Sequence, residues 1–327
     1  MSSSRHRFVG WRGPGFTFRI HIGGISVKRP ILVASLALAT ALLSACGGGG
    51  GGSALPASSL AGNAIDGPVN GATVAAYSIS NGAKGAMLAN ATTDAAGHFT
   101  LGLGSYAGAV MLQVSGGSYL DDATGAMTTM ASGTVMTAVV PSIVAGGTLD
   151  GIQVTPVTSM AQAYAQGMAG GMTDANIAAA NAALGNYFGI TGSSDILHTV
   201  PIDPRAGGSG SGASQASINY GMVMAAMSQY ANAQGLTNPS AVITAYMNDA
   251  GDGVMNGLDS GAQVMMGGGS MGGGMGGGTA AMSAFAGTSG LASAMSSFVS
   301  SAQNQSGVTA AQMQGLMSTL ASSNGVL

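Results

Sequence analysis

The chain has 327 residues, of which eight are basic, eleven are acidic and one is a cysteine. Charged residues make up 6% of the sequence, against roughly 25% in an average soluble protein. This composition disfavours binding to nucleic acid, which needs clustered Lys and Arg, and it excludes a disulfide within the chain. Glu is absent and His occurs four times, which leaves few general acids or bases, so we expect a protein that is not an enzyme.

The basic residues are concentrated at the start of the chain. Six of the eight precede residue 30, namely Arg5, Arg7, Arg12, Arg19, Lys28 and Arg29. An uncharged apolar stretch follows over Ile31–Leu43, which is shorter than the roughly 20 residues that a membrane-spanning helix needs. Small residues and Cys46 come next. This layout is typical of a secretory signal, so residues 1–45 are predicted to form a signal peptide.

The segment Leu43-Ser44-Ala45-Cys46 resembles the lipobox of bacterial lipoproteins. The resemblance implies cleavage before Cys46, acylation of Cys46 with palmitate-type chains, and anchorage in membrane lipid. Gly47 in place of Asp at the next position implies sorting to the outer membrane. A stop-transfer helix, or a plain secretory signal with a chance cysteine, is the alternative. The mature chain would keep Lys84 and Arg205 against eleven aspartates, a net charge of −9.

Residues 46–57 include six consecutive glycines, Gly47–Gly52, and are expected to be a flexible tether. Residues 58–153 then alternate short β-branched or apolar runs with turn signals such as Asn81-Gly82, which predicts a β-sandwich. Two segments resemble the signatures of carboxypeptidase regulatory-like domains: Gly62–Val74 (GNAIDGPVNGATV) and Thr93–Leu101 (TDAAGHFTL). The resemblance implies an Ig-like or transthyretin-like sandwich, which is generally non-catalytic.

The pattern changes to helical at Val154-Thr155-Pro156, where a strand is expected to lead into a helix. Residues 154–262 are predicted to form an α-helical domain, 263–279 a disordered Gly/Met-rich linker, and 280–327 the C-terminal helices. The predicted helices are Asp174–Phe188, Gln215–Gln234, Ser240–Met247, Ala280–Ala302 and Thr309–Ser322. The predicted fold class is therefore α+β, with a β-sandwich followed by an α-helical region.

Residues 248–259 resemble a calcium loop of the EF-hand type. Such loops place oxygen ligands at positions 1, 3, 5, 9 and 12, a glycine at position 6 and a backbone carbonyl at position 7. The candidate ligands are Asn248, Asp252, the carbonyl of Val254, Asn256 and Asp259. Ala250 at position 3 cannot ligate, so weak binding of roughly 10⁻⁴–10⁻³ M is expected. The alternative is a turn in which Asp and Asn cap their own backbone.

Methionine offers a second candidate metal site. The chain has 22 methionines, and Met265, Met266, Met271 and Met275 lie in or beside the Gly-rich tract. Thioether sulfur is a soft ligand that suits copper(I). The alternative is a structural or low-complexity role, since most other methionines are at apolar helical positions, where Met commonly fills gaps.

Only two histidines would remain in the mature chain, and neither points to catalysis. His98 is predicted on the surface of a strand and His198 in a loop, and Asp121-Asp122 is not an obvious acid–base pair. We expect no cofactor and no nucleic-acid partner. The expected function is a structural, adhesion or ligand-binding role at the cell envelope, with a glycan or a protein as ligand; a metal-binding envelope protein is the alternative.

Overall fold

The structure of the chain, a computed structural model, describes residues 57–192, 195–267 and 280–327. Within them the fold is mixed α+β, as the sequence predicts: nine strands precede Thr155 and six helices follow it. Several predicted segments lie outside the described residues. They are the predicted signal peptide, the predicted lipid attachment point Cys46, nearly all of the predicted tether, and residues 268–279 of the Gly/Met tract. In the described part of the chain, no helix is long and apolar enough to cross a membrane.

The strands before Thr155 form two larger sheets and one hairpin. Their bounds are β1 (Ser58–Ala64), β2 (Thr73–Ser80), β3 (Ala83–Thr92), β4 (His98–Gly104), β5 (Gly108–Ser115), β6 (Ser118–Leu120), β7 (Met127–Thr129), β8 (Val135–Ile143) and β9 (Thr148–Val154). One sheet has the order β4-β1-β9 and the other the order β3-β2-β5-β8, while β6 pairs with β7. All these pairs are antiparallel except β1 with β9, which run parallel.

The two larger sheets bury apolar side chains in a shared cluster. Leu60 and Leu101 contribute from the three-stranded sheet, and Val110, Leu112 and Ala138 from the four-stranded sheet. Strand β1 alternates buried and half-buried residues along its whole length, which is the period-two pattern of a strand with one buried face. The apolar faces therefore determine how the strands are oriented.

The four-stranded sheet is also buried on its other face. Met111 and Val139 point away from the three-stranded sheet and pack into a second cluster with side chains of the helices, including Val157 and Ile177. Strand β8 is consequently buried at its first six positions without alternation. Because both faces are covered, the sheet forms a layer between the second sheet and the helices.

The helices are bounded by polar caps. Their bounds are α1 (Pro156–Gly167), α2 (Asp174–Tyr187), α3 (Gln215–Ala233), α4 (Ala241–Ala250), α5 (Ser289–Val299) and α6 (Ala310–Ser322). Thr155 is the N-cap of α1 and forms a capping box with Thr158, and Pro156 occupies the first helical position, where its missing N–H costs nothing. Thr173 and Ser214 cap α2 and α3 by accepting a backbone N–H through their hydroxyls, and Thr309 forms a capping box with Gln312 at the start of α6.

The predicted helix Ala280–Ala302 is wrong in its first nine residues. Ala280–Ala281 form a short strand that pairs with Met265–Met266, and α5 begins only at Ser289. Gly287 explains part of the difference, since an added Cβ there would lie 2.7 Å from the Met255 side chain. Likewise, residues 263–267 of the predicted linker include strand residues, and the Met266 side chain is fully buried in the helical core.

The C-terminal helices belong to the same core as the earlier ones. Leu291 and Phe298 of α5, together with Met313 and Leu320 of α6, are buried with side chains of α3 and α4. The described residues from Ala57 onward accordingly belong to one compact unit. The C-terminal segment is therefore docked on the other helices.

Candidate functional site

Three of the five residues predicted as calcium ligands line one groove. Asn248, Asp252 and Asp259 share its wall with Gln162, Gln166 and Ser260, and its volume is about 610 Å³. The groove lies where the C-terminal ends of α1 and α4 meet the loop that follows α4. These helix ends approach through glycine, because a Cβ on Gly167 would lie 2.0 Å from the carbonyl oxygen of Gly251.

The side-chain oxygens of this loop already hold backbone N–H groups. Asp252 accepts from the N–H of Val254 through Oδ1 and from that of Ser260 through Oδ2, each at 3.0 Å. Asn256 accepts from the N–H of Leu258 at 3.0 Å. These are the self-capping turns that the sequence left open as an alternative. A carboxylate has about four lone-pair sites, however, so Asp252 keeps acceptor capacity on the groove side.

The remaining predicted ligands do not face the groove in the same way. The carbonyl of Val254 accepts from the N–H of Asn256 at 2.9 Å, and Val254 pairs with Val326 near the C-terminus in an isolated β-bridge. Asn256 does not line the groove, whereas Asp259, which does, accepts from the Ser260 hydroxyl at 3.3 Å. Among the described residues, no three His, Cys, Asp or Glu side chains are grouped closely enough to hold a metal ion.

The residue that organises the loop is Asp249, which the sequence pattern does not single out. Asp249 is fully buried, and its Oδ1 accepts from the N–H groups of Asn256 at 2.9 Å and Gly257 at 2.5 Å. Its Oδ2 is buried without a hydrogen-bond partner. Burial raises the pKa of Asp249 to about 7, although the two backbone N–H groups act in the opposite direction. An Asp at the end of a helix ordinarily signals a cap, so nothing local marked this one as buried.

The methionine tract is only partly described. Met266 is fully buried in the helical core and Met265 is half-buried beside it, so the Met266 thioether is not available to a metal. Met271 and Met275 lie outside the described residues. Core packing, the alternative weighed for these side chains, is confirmed for Met266.

His98 and His198 lie in the positions predicted for them, on the surface of a strand and in a loop. His98 is exposed at the start of β4, and its Nδ1 is hydrogen-bonded to the Asn63 side chain. His198 is in a turn, with Nδ1 at 2.8 Å from Oδ1 of Asp195, and both side chains are nearly half exposed. That same oxygen also accepts from the N–H of Leu197 at 2.9 Å, so Asp195 caps the turn.

A cavity of about 390 Å³ beside His198 is lined by hydroxyl groups of Thr199, Ser214 and Ser217. The Ser214 hydroxyl is occupied in capping α3: it accepts from the N–H of Ser217 at 3.1 Å and donates to the Ser217 hydroxyl at 3.0 Å. This use of Ser214 accounts for its position without a nucleophilic role.

A second polar cluster surrounds Asp121, in the turn between β6 and β7. Asp121 is fully buried, and its carboxylate accepts from the Thr124 hydroxyl at 2.6 Å and from the Ser228 hydroxyl at 2.5 Å. Burial raises the pKa of Asp66 to about 7, and the neighbouring Asp121 charge acts in the same direction. The pKa of Asp122 is raised well above its usual value, first by burial and then by the charge of Asp66.

Arg205 is the basic residue of this cluster. Its Nη1 donates to the Asp122 carbonyl at 3.4 Å and to the Gln303 side chain, and its guanidinium lowers the pKa of Asp122. The guanidinium packs against Gly125, where a Cβ would lie 2.7 Å from Nη2. The cluster thus joins the strands to the loop before α3 and to the segment after α5, which is a structural role.

Comparisons with known proteins add little to this picture. No protein-family model matches the chain, and no curated protein matches it. Among solved structures the chain is similar to a 9R-lipoxygenase from Cyanothece, at 15% identity and a TM-score of 0.19. The match covers 31% of this chain and 16% of the lipoxygenase chain. A likeness this low carries no argument about fold or function.

Proposed function

We propose that the protein is a lipoprotein anchored by acylated Cys46 in the outer membrane, with a structural, adhesion or ligand-binding role that involves no catalysis. The observation that carries the proposal is the order of features along the chain: basic residues, the apolar stretch Ile31–Leu43, the Leu-Ser-Ala-Cys segment, six glycines, and then β1 at Ser58. Each feature serves export or anchoring, and together they deliver one folded unit to a membrane surface.

The fold proposed for the strand region is a transthyretin-like sandwich of the carboxypeptidase regulatory-like type. Two sheets that share a buried apolar cluster support it, as does the position of both resembling segments. Gly62–Val74 runs from β1 into β2, and Thr93–Leu101 forms the turn before β4 and most of that strand. Such modules bind or support other molecules and do not catalyse reactions. This agrees with the hydroxyl and carboxyl groups described above, which mainly accept hydrogen bonds from backbone N–H groups as caps.

Lipid attachment is tested by expressing the full-length chain in a bacterium fed with labelled palmitate. The wild-type protein should incorporate label, begin at residue 46 by mass spectrometry, and fractionate with the outer membrane. Cys46→Ser should abolish both labelling and cleavage, whereas Ser44→Ala, which keeps a small residue before the cysteine, should preserve them. A mature protein with a free Cys46 thiol would overturn the proposal.

The groove at Asn248, Asp252 and Asp259 supports a second candidate function, weak calcium binding. The supporting observation is that two carboxylates and several amide side chains converge on one wall, with oxygen chemistry suited to calcium. Calorimetry with calcium chloride on the mature domain should give a dissociation constant of roughly 10⁻⁴–10⁻³ M. Asp252→Asn together with Asp259→Asn should remove it, while Asp150→Asn, an exposed change in β9, should not. Absence of heat at millimolar calcium would overturn this second candidate function.

A further inference from the structure

The structure shows which end of the strands the tether enters. Ser58, the first residue of β1, donates through its hydroxyl to the carbonyl of Tyr106 at 2.8 Å and accepts from the N–H of Gly146 at 2.9 Å. It therefore lies between the β4–β5 turn, residues 105–107, and the β8–β9 turn, residues 144–147. We call these two turns together with Ser58 the tether end.

The tether end exposes apolar and uncharged groups. The Val144 side chain is 72% exposed, and the turn that it begins continues with Ala145, Gly146 and Gly147. Neither turn contains a charged residue. Charges lie around this end at Lys84, Asp150 and Asp174, and the last of these accepts from the Ser142 hydroxyl at 2.5 Å. Because the two turns carry no charged side chain themselves, they can enter a lipid headgroup layer without removing water from an ion.

The length of the tether keeps this end close to the lipid. Eleven residues lie between Cys46 and Ser58. They reach at most about 40 Å when fully extended. The eight residues of β5 put the opposite end of the sheet roughly 25 Å further away. Tethering raises the effective concentration of the near surface at the bilayer, so even a weak contact is populated.

We infer that the tether end is a membrane-contacting surface, in which Val144 and the β8–β9 turn enter the headgroup layer of the bilayer that holds the lipid anchor. The proposed partner of the tether end is the lipid bilayer, because the lipid on Cys46 holds this end of the protein close to it. Apolar burial provides the attraction, since the mature chain carries a net charge of −9 and would be repelled by anionic lipid. This inference rests on acylation of Cys46.

The test uses the acylated full-length protein in phosphatidylcholine vesicles that contain nitroxide-labelled lipid. Because acylation blocks Cys46, an introduced cysteine is the single free thiol and can carry a fluorophore. Val144→Cys and Ala145→Cys report on the tether end. Met127→Cys is the matched control, since Met127 is 68% exposed in β7, at the other end of the strands. Probes at 144 and 145 should be quenched severalfold more than the probe at 127, and the difference should vanish with protein that begins at residue 47 and therefore carries neither the signal peptide nor the lipid.

The outcomes separate the inference from the proposed function. If the labelled proteins float with vesicles but show equal quenching at all three positions, or more quenching at 127, the inference is overturned and the lipid anchor stands. Wild-type protein that fails to float with vesicles would overturn both. Unfolding curves of the three labelled proteins should match that of the wild type, because all three positions are exposed.

Discussion

The hydroxyls of Thr155 and Tyr220 lie 2.7 Å apart in the interior, where strand β9 passes into helix α1. Tyr220 is fully buried and donates its phenolic proton to the carbonyl of Ile196 at 3.0 Å, so Thr155 supplies the proton of the shared bond. Thr155 also caps α1 and pairs with Thr137 of β8 in an isolated bridge. Two polar side chains thereby connect the sheet, the first helix, the third helix and the loop between the second and third helices.

Removal of the Tyr220 hydroxyl should be costly. Tyr220→Phe leaves the buried carbonyl of Ile196 and the hydroxyl of Thr155 without this partner, and an unpaired buried group costs about 1–3 kcal/mol. Urea unfolding should show a loss of that size in the free energy of unfolding. Tyr106→Phe, which removes one bond to the Ala109 carbonyl in a partly buried turn, is the control and should cost about 1 kcal/mol or less. An equal loss in both variants would contradict the role given to Tyr220.

Two helical glycines should respond in opposite directions to substitution by alanine. In Gly167→Ala the new Cβ meets the Gly251 carbonyl oxygen at 2.0 Å, so the ends of α1 and α4 must separate, at a cost of roughly 1–3 kcal/mol. In Gly315→Ala, inside α6, nothing lies within 4 Å of the new Cβ, and the better helix former should stabilise by about 0.5–1 kcal/mol. Thermal unfolding of both variants measures the difference; stabilisation of both would show that α1 and α4 are less tightly packed than described.

Asp249 should make the protein less stable as the pH rises. Its pKa is about 7 in the folded chain and 3.8 in the unfolded reference, so between these values the folded state binds more protons. The stability that this group contributes is therefore fully present below about pH 4 and is lost as the pH rises through 7. Asp66, with a pKa of about 7, acts in the same direction. Denaturant unfolding between pH 4 and pH 8 should show the decline.

Replacement of Asp249 tests this assignment. Asp249→Asn cannot ionise, so the fall in unfolding free energy between pH 4 and pH 8 should become shallower, with the remaining part due to Asp66 and Asp122. Asp150→Asn changes an exposed carboxyl of β9 and should leave the slope as in the wild type. A slope unchanged by Asp249→Asn would show that Asp249 ionises normally in the folded protein.

The two described basic residues should differ in their importance. Arg205→Met removes hydrogen bonds to the Asp122 carbonyl and to Gln303, together with the positive charge beside Asp122, and should destabilise by about 2–3 kcal/mol. Lys84→Met removes an exposed bond to Gln113 at 2.7 Å and a contact of Nζ at 3.7 Å from the centre of the Tyr77 ring, worth about 1 kcal/mol or less. Chemical unfolding of the two variants at pH 7 provides the comparison.

Local patterns predicted much of the secondary structure. The sequence predicts strands within residues 58–153 and predicts α2, α3 and α6 to within a few residues, because turn signals and caps are encoded locally. Asn81-Gly82 is such a signal: both residues have positive φ angles, near 51° and 71°, in the turn between β2 and β3. The short strand at Ala280–Ala281 was missed because its pairing partner, Met265–Met266, is distant in sequence.

The candidate site was only partly accessible to sequence reasoning. Asn248, Asp252 and Asp259 line the same groove because they are close in sequence: Asn248 is in the last turn of α4, and the two aspartates are in the segment that follows it. The neighbours Gln162 and Gln166 could not be foreseen, because they reach the groove only through the contact of α1 with α4. Asp249 was overlooked because burial of a carboxylate depends on what packs over it.

The sequence by itself determined the low charge of the chain and the order of strands before helices, and it is the basis of the proposed export signal and of the proposed anchor at Cys46; all of these depend on composition or on neighbouring residues. Only the tertiary structure decided that the four-stranded sheet is buried on both faces, that Asp121 and Asp249 lie inside, and that Val144 projects beside the start of β1. The physical reason is that burial and proximity are produced by contacts between segments far apart in the chain, and no local pattern records them.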